Sequence, residues 1–447
     1  MAIHDIEAAC EKAVGTALKR GADEAEAYGI MERRISAPIE RNDVKVCKVQ
    51  HCAGIGLRVF KSCAPGFASV NSLQARRIDD LCTQAVRLAS RSPSDPLNIL
   101  PAPKKLRKVG GLYDPGAEGL GPEDVFCMAH EMLMGAREYD PRVTVDSGSL
   151  ELSLHRRAVF NSLGVRGAEE ASTFSYFVLG FATEHLEVGS FDYLYGSVHM
   201  AENLVPREIG RRLGERVVRA LGSRKAESFK GTVVMDPYAI QPVISYMLEE
   251  SVDANNVQKG VSTLAGKLGE EIASPILTVM DDGTLPGGVG SSSFDREGLP
   301  HTPLRVIEKG TLERYMHNTY TARKEGTEST GHAAGEYRNV PAISATNFSI
   351  EPGGSSCEEL IAEVERGLLV TRFSGSSEIA TGEFSGVVKG SFMIERGEIK
   401  HPLKETLIAG NVLELLCSLS GASRERERVG AHHLPFLRFE DVSVTSA

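Results

Sequence analysis

Two pairs of adjacent ionisable residues are the first candidates for chemistry in this sequence. Asp281 and Asp282 stand directly before Gly283-Thr284. Neighbouring carboxylates can act as a general acid and base, or they can bind a divalent cation. The same residues also suit an ordinary transition from a strand into a turn, and we favour this structural interpretation.

His432 and His433 form the second pair. Adjacent side chains on a strand point to opposite faces of the sheet, so the two imidazoles could not easily bind one metal ion. We favour a role for these histidines in a loop or at an interface. Asp281, Asp282, His432 and His433 are therefore predicted as candidates for contact with a substrate or with another subunit.

A hydrolytic zinc site demands a more specific pattern than these pairs provide. It needs three protein ligands of the His, Cys or carboxylate type and an open position for water. Two ligands on one helix must share a face, so they lie about three to five residues apart. His130-Glu131 begins like such a motif, but no second histidine follows. The eight cysteines contain no C-x-x-C pair, and we interpret most of them as small buried apolar residues.

The elements that must position these residues follow from the periodicity of apolar side chains. Helices are predicted over 3–20, 76–90, 122–138 and 201–221, with strands between them. After a strand at 230–237 and a helix over 238–252, the chain is rich in strands, and Lys309-Gly310 and Arg396-Gly397 are typical of hairpin turns. Helices are also predicted over 357–366 and 410–420.

This pattern predicts an α+β fold with two lobes. The smaller N-terminal lobe is α/β in character, and the larger C-terminal lobe is a mostly antiparallel, barrel-like sheet that carries a few helices. We predict an N-terminal domain over 1–225 and a β-rich C-terminal domain over 226–447. A segment near 93–121 is rich in Pro, Lys and Gly and indicates a linker or a surface excursion.

Composition excludes several classes of function. The formal net charge is −10 and the sequence pI is about 5.7, which disfavours direct binding to nucleic acid. No apolar run approaches the roughly 18 residues that a membrane span needs. The first residues lack the basic and apolar regions of a signal peptide, so we expect a cytoplasmic protein.

A series of motifs in a fixed order resembles the TldD/PmbA family. The match covers nearly the whole chain, and the order and spacing of the motifs are more specific than any one of them. The matching segments are Gly54-Ile55-Gly56-Leu57-Arg58-Val59, Gly66-Phe67-Ala68, 279–290, 292–298, Pro303-Leu304, 318–322, 329–333, Asn347-Phe348, 382–385, 390–395, Gly397-Glu398-Ile399 and 407–411.

The resemblance implies a role in peptide and protein processing, including maturation of peptide precursors and degradation of small antitoxins. Two kinds of subunit pair in this family. The TldD type carries H-E-x-x-x-H on a helix, with a cysteine near the C-terminus as the third zinc ligand. The PmbA/TldE type lacks that motif.

This sequence resembles the second type. Counting back from Lys259-Gly260-Val261-Ser262, the motif positions for the two histidines and the glutamate hold Ser245, Glu250 and Tyr246. Serine is a poor zinc ligand, and a phenol is protonated near neutral pH. The late ligand position falls near Val429, and the last cysteine, Cys417, lies well upstream. We therefore predict no catalytic residues and no metal in this chain, with zinc supplied by the partner.

Three hypotheses follow for the function. The first is a PmbA/TldE-like subunit that pairs with a TldD-type metalloprotease and helps to enclose peptides or small unfolded proteins. The second is an autonomous metallopeptidase whose unusual site uses Glu250, His432, His433 or the Asp281-Asp282 pair. The third is a non-enzymatic homodimer that modulates another protein, as the family's older label "modulator of DNA gyrase" suggests.

Overall fold

A computed structural model describes residues 3–185 and 187–446 of the chain. Met1, Ala2, Leu186 and Ala447 lie outside the described residues. The predicted start of the first domain, at residue 1, and the predicted end of the second, at residue 447, therefore also lie outside them.

The first half of the described chain builds an antiparallel sheet of long strands with helices packed on it. Its strand order is β4-β3-β1-β5-β6, with β2 beside β1 and with β7 and β8 both beside β6. The elements are α1 (Ile3–Lys19), β1 (Glu24–Glu40), β2 (Asp43–Val44), β3 (Lys48–Lys61), β4 (Ala64–Val70), α2 (Ala75–Ala89), α3 (Pro122–Tyr139), β5 (Val143–Asn161), β6 (Arg166–Glu184), β7 (Glu187–Val188), β8 (Asp192–Val198) and α4 (Pro206–Arg219).

Two apolar cores hold this lobe together. Small residues of α1 and α2 pack on β1, β3 and part of β5, while α3 and α4 pack on the remainder of the sheet. The predicted helix over 201–221 begins only at Pro206, because proline lacks an N–H and suits the first turn of a helix. Residues 201–203 form a separate 3-10 turn before it.

The second half forms a larger sheet. Its elements are β9 (Arg224–Lys225), β10 (Phe229–Met235), α5 (Pro237–Ile240), α6 (Tyr246–Val252), α7 (Ala254–Gln258), β11 (Val279–Asp281), β12 (Leu304–Glu308), β13 (Thr311–Leu312), α8 (Thr319–Glu325), β14 (Ala333–Ala334), β15 (Ala342–Ile343), β16 (Phe348–Ile350), α9 (Cys357–Ala362), β17 (Arg366–Val370), β18 (Arg372–Ser377), β19 (Glu383–Lys389), β20 (Phe392–Glu395), β21 (Glu398–Lys404), β22 (Thr406–Asn411), α10 (Val412–Cys417), β23 (Leu419–Val429) and β24 (His432–Ser446).

The long last strand, β24, organises this sheet. Along its length it pairs with β10, β22 and β23 in antiparallel fashion and touches β16 in parallel. Most other pairs are antiparallel. The predicted turns at Lys309-Gly310 and Arg396-Gly397 join β12 to β13 and β20 to β21, and all four residues have positive φ.

The predicted α+β fold with a larger antiparallel C-terminal lobe is confirmed. The predicted helix at 357–366 is shorter and ends at Ala362.

Ion pairs between buried residues connect the two lobes. Arg58 of β3 contacts Glu26 of β1 at 2.7 Å and Glu297, in the loop after β11, at 2.9 Å. The neighbouring Arg296 contacts Glu26 at 3.2 Å and lies over the ring of Tyr28. The irregular segment before α3 also runs along the second lobe, where Gly110 accepts a hydrogen bond from the backbone of Gly287. The domain division at residue 225 stays a prediction.

Within the described residues, every helix is too short or too polar to cross a membrane.

Candidate functional site

The helix that follows β10 carries the positions at which the sequence predicts an altered zinc motif. Asp236 caps its first turn by accepting a hydrogen bond from the backbone N–H of Ala239 at 3.0 Å, and Pro237 occupies the first helical position. A π-helical turn, Gln241–Ser245, joins α5 to α6. It contains Pro242, which has no N–H to donate and so interrupts regular α-helical bonding. The helix is therefore continuous but locally widened just before the motif positions.

The three altered motif positions face different surroundings. Ser245 is fully buried, and its hydroxyl has no hydrogen-bond partner within the described chain. Tyr246 is 45% exposed. Glu250 is half-buried and accepts a hydrogen bond from the Asn256 side-chain amide at 3.2 Å. These side chains therefore do not converge on one point.

The helix and the last strand instead meet through an ion pair between Glu249 and His432. The Glu249 carboxylate contacts Nε2 of His432, and Nδ1 of the same ring lies 3.2 Å from the carbonyl oxygen of Val429. Both ring nitrogens thus face acceptors, which suits a doubly protonated imidazolium. Burial alone would lower the pKa of His432, but the hydrogen bond and the charge of Glu249 outweigh it and raise the pKa above its ordinary value.

The remaining positions near this pair do not complete a metal site. Val429, at the place of the family's third ligand, is fully buried among apolar residues, and Cys417 contacts the carbonyl of Ile272 instead. His433 points to other surroundings, where burial and then the charges of Arg426 and Arg428 lower its pKa to about 4. No three His, Cys, Asp or Glu side chains in residues 3–185 and 187–446 are placed to hold a metal ion. Ser245, Glu250, Val429 and Cys417 therefore do not form a ligand set that fits zinc.

Asp281 and Asp282 have separate partners. Asp281 is fully buried, lies 2.9 Å from Nε2 of His332 and accepts a hydrogen bond from the backbone N–H of Thr346 at 2.8 Å. Asp282 accepts from the backbone N–H and the hydroxyl of Thr284 at 2.8 and 2.6 Å, which forms a tight local turn. Asp281 therefore joins the end of β11 to the segments that carry His332 and Thr346, while Asp282 stabilises a local turn. The predicted contacts of Asp281, Asp282, His432 and His433 with a substrate or subunit stay predictions.

A row of aromatic side chains leads from the surface of the N-terminal lobe to the altered helix. We call Phe177, Tyr193, Tyr195 and Tyr238 the aromatic row. Neighbouring rings have centroids 6.1, 6.1 and 5.9 Å apart, and exposure falls from 36% at Phe177 to 3% at Tyr238. The charge of Glu249 also contributes to the raised pKa of Tyr195, after the larger effect of burial. The row therefore reaches the neighbourhood of the Glu249–His432 pair.

Buried charges lie beside the inner end of the row. Arg216 of α4 contacts Asp192 at 2.8 Å and Asp236 at 3.2 Å, and its guanidinium lies 5.0 Å from the ring of Tyr238. Burial raises the pKa of Asp236 to about 7, although the charge of Arg216 opposes that shift. This cluster fixes the start of the altered helix against the N-terminal lobe.

Several of these residues carry no sequence signal that would have identified them. Glu249 is adjacent to a motif position, but two consecutive glutamates on a helix are typical of a solvent-facing surface. His332 lies in the 329–333 segment that resembles the family, and the structure shows it buried against Asp281. The tyrosines of β8 alternate as in any strand, and only the packing of the two lobes brings them to the helix.

Comparison with known proteins gives consistent matches along the chain. Residues 228–446 match the family described as "PmbA/TldA metallopeptidase C-terminal domain", and residues 116–221 match "PmbA/TldA metallopeptidase central domain". Metalloprotease PmbA of Escherichia coli O157:H7 is 27% identical over 91% of this chain and 89% of its own length. The metalloprotease TldD homolog of Haemophilus influenzae is 26% identical over 91% of this chain and 87% of its own length.

A solved structure extends the match to the fold. TldE from Thermococcus kodakarensis superposes with a TM-score of 0.89 at 28% identity, covering 98% of this chain and all of its own.

Proposed function

Because this chain belongs to the PmbA/TldD metallopeptidase family, we propose that it is the metal-free, TldE-type subunit of a two-subunit zinc metallopeptidase. A TldD-type partner supplies the zinc ion and the catalytic residues. The substrates are peptides or small unfolded proteins, including peptide precursors and antitoxins, and the assembly works in the cytoplasm.

The observation that carries this proposal is the Glu249–His432 contact. The helix and the last strand contact each other through an ion pair whose two residues, Glu249 and His432, lie next to the predicted ligand positions. Zinc in a hydrolytic site needs three ligands and an open position, and Ser245, Glu250 and Val429 provide no such set. No catalytic step is therefore assigned to this chain.

The names of the relatives support the proposal that two related subunits act together. The chain is similar to proteins named PmbA and TldE and also to proteins named TldD homolog, at comparable identity and coverage. Two subunits of one fold can associate through similar surfaces. The contribution proposed for this chain is to bind and orient peptide along the aromatic row, next to the partner's zinc.

The test is coexpression with the TldD homologue of the same organism. We expect the two chains to copurify, and we expect zinc in the complex in proportion to the partner. Hydrolysis of an unstructured fluorogenic peptide should require both chains and should be abolished by a chelator. Each chain assayed alone is the control.

Two outcomes would contradict the proposal. Stoichiometric zinc and chelator-sensitive hydrolysis in this chain alone would establish an autonomous metallopeptidase that uses Glu250, His432, His433 or the Asp281-Asp282 pair. A stable homodimer without affinity for the TldD homologue would instead establish the non-enzymatic modulator.

A further inference from the structure

The guanidinium of Arg372, the first residue of β18, is buried without a hydrogen-bond partner. Arg372 is 1% exposed, and Nε, Nη1 and Nη2 all lack a partner within the described chain. The guanidinium lies 4.0 Å from the ring centroid of Phe191 and 5.2 Å from that of Tyr193. Stacking on rings stabilises the cation but leaves its five N–H donors unsatisfied. Among the described arginines, Arg372 alone has all three nitrogens in this state.

The nearby carboxylates already have other partners. Oδ2 of Asp192 accepts a hydrogen bond from Arg216 at 2.8 Å, and Oδ1 accepts from the backbone N–H of Tyr193 at 2.8 Å. Asp236 also contacts Arg216, at 3.2 Å, and its other carboxylate oxygen accepts a hydrogen bond from the backbone N–H of Ala239. Arg216 therefore uses both carboxylates, and the charge of Arg372 has no direct counter-ion. An uncompensated buried charge is costly and normally has an anionic partner.

The position of Arg372 indicates which anion would satisfy it. Its guanidinium stacks on Tyr193, a member of the aromatic row that continues through Tyr195 and Tyr238 to the altered helix. Phe191, whose ring centroid is the nearer of the two to the guanidinium, is 43% exposed and immediately precedes β8. A rotation of this one side chain would open the guanidinium to a ligand lying along the row. The planar fork of arginine matches a carboxylate through two parallel hydrogen bonds.

We propose that Arg372 binds a carboxylate of a peptide held along the aromatic row, and that Phe191 covers the site when it is empty. This inference rests on the proposed peptide-binding role of the chain. The carboxylate comes either from the C-terminus of the peptide or from an Asp or Glu side chain, and the two sources share the same chemistry.

The experiment compares three fluorescein-labelled peptides of Ala, Gly and Ser by fluorescence anisotropy on the full-length protein. One ends in a free carboxylate, one ends in an amide, and one ends in an amide but contains a single Glu. We expect the amidated peptide to bind roughly 10- to 100-fold more weakly than the free acid, as for the loss of a charge-assisted bidentate contact. Recovery of affinity by the internal Glu identifies a side-chain carboxylate as sufficient, and its absence identifies the C-terminus as the ligand.

Variants then assign the effect to one residue. Arg372→Met should bring the free acid to the affinity of the amide, while Arg372→Lys should retain part of the difference because it keeps the charge but loses the fork. Lys389→Met is the matched control, because Lys389 is the register partner of Arg372 on β19. It should leave the difference between free acid and amide unchanged. Circular dichroism and thermal unfolding establish that each variant is folded.

The comparison of the three peptides on the protein without substitutions tests the site by itself, even if a variant fails to fold. Equal affinity for all three peptides, or no binding of any of them, would overturn the carboxylate site. Partner-dependent hydrolysis that is insensitive to Arg372→Met and to the terminal group would overturn the site while leaving the subunit role intact. Arg372-dependent binding without any partner-dependent hydrolysis would uphold the site and reject the subunit role.

Discussion

At the scale of single residues, an ion pair joins helix α6 to the last strand. Glu249 of α6 and His432 of β24 form this pair, and both residues neighbour the predicted motif positions without occupying them. An ion pair of this kind stabilises only while the imidazole is protonated. The stability that this pair contributes to the contact between helix and strand therefore depends on pH.

The first prediction concerns Glu249→Gln. The folded-state pKa of His432 lies above the ordinary value of 6.5, so the stability from the pair is fully present below that value and is lost as pH rises through the raised pKa. We expect the variant to lose about 1–3 kcal/mol of unfolding free energy near pH 5.5 and much less near pH 9. Urea unfolding at both pH values measures the difference.

Glu250→Gln is the matched control for this experiment. Its carboxylate accepts a hydrogen bond from the neutral amide of Asn256, so its effect should not change with pH in this window. A deficit of Glu249→Gln that is equal at both pH values would show that the imidazolium is not the partner that matters.

At the scale of elements, glycines of β3 let the second lobe approach the sheet closely. A Cβ at Gly56 would lie 2.0 Å from the carbonyl oxygen of Tyr337, and one at Gly54 would lie 2.2 Å from the Tyr337 ring. Tyr337 is buried against Tyr28, Val159 and Phe294. The Gly54-Ile55-Gly56 motif therefore reflects packing between lobes, because any larger residue would displace a backbone segment.

The second prediction is that Gly56→Ala destabilises the protein by about 1–3 kcal/mol through overpacking. The clash is with a backbone carbonyl, so a side-chain rotation cannot relieve it. Thermal or urea unfolding measures the loss.

Gly15→Ala is the same type of substitution, but we expect it to raise the free energy of unfolding where Gly56→Ala lowers it. Gly15 lies within α1, and no heavy atom lies within 4 Å of the added Cβ. We expect a gain of about 0.5–1 kcal/mol, because alanine favours a helix interior more than glycine does. Similar effects of the two substitutions would contradict the close approach of Tyr337.

At the scale of the whole molecule, buried charges hold the two lobes together. Arg58 and Glu26 come from the N-terminal sheet, and Arg296 and Glu297 come from the loop after β11. Glu297 also accepts a hydrogen bond from the backbone N–H of Thr319 at 2.8 Å, which ties the network to the start of α8. Because these groups are buried, loss of one partner leaves charges that water cannot solvate.

The third prediction is that Arg58→Met destabilises the protein by about 3–5 kcal/mol, since it removes the cation that Glu26 and Glu297 share. Hydrogen exchange should also show increased opening of the 292–298 segment, where the second lobe meets the sheet. Urea unfolding measures the global loss.

Lys104→Met provides the contrast. Lys104 also contacts a residue far away in the chain, Glu328, but the side chain of Lys104 is 49% exposed and that of Glu328 is 87% exposed. We expect a change of no more than about 0.5 kcal/mol, as for other exposed pairs. Equal losses for Arg58→Met and Lys104→Met would show that burial does not set the strength of the connection between lobes.

The sequence by itself determined the class of the fold. Alternation of apolar residues predicted the long strands, and Lys-Gly and Arg-Gly predicted two hairpin turns. The residue types at Ser245, Tyr246 and Glu250 predict that a standard ligand set is missing, and this stays a prediction. These properties are local: a turn, a strand period or a ligand position depends on residues close together in the chain.

Only the tertiary structure decided which residues meet at the altered site. Glu249 and His432 are 183 positions apart, and Arg372 lies against the rings of Phe191 and Tyr193, far upstream in the chain. Nothing near Arg372 in the sequence distinguishes it from an exposed arginine. Its burial without a counter-ion arises because β18 packs against β8 of the other lobe, and such long-range packing is set by the whole fold and by no local pattern of residues.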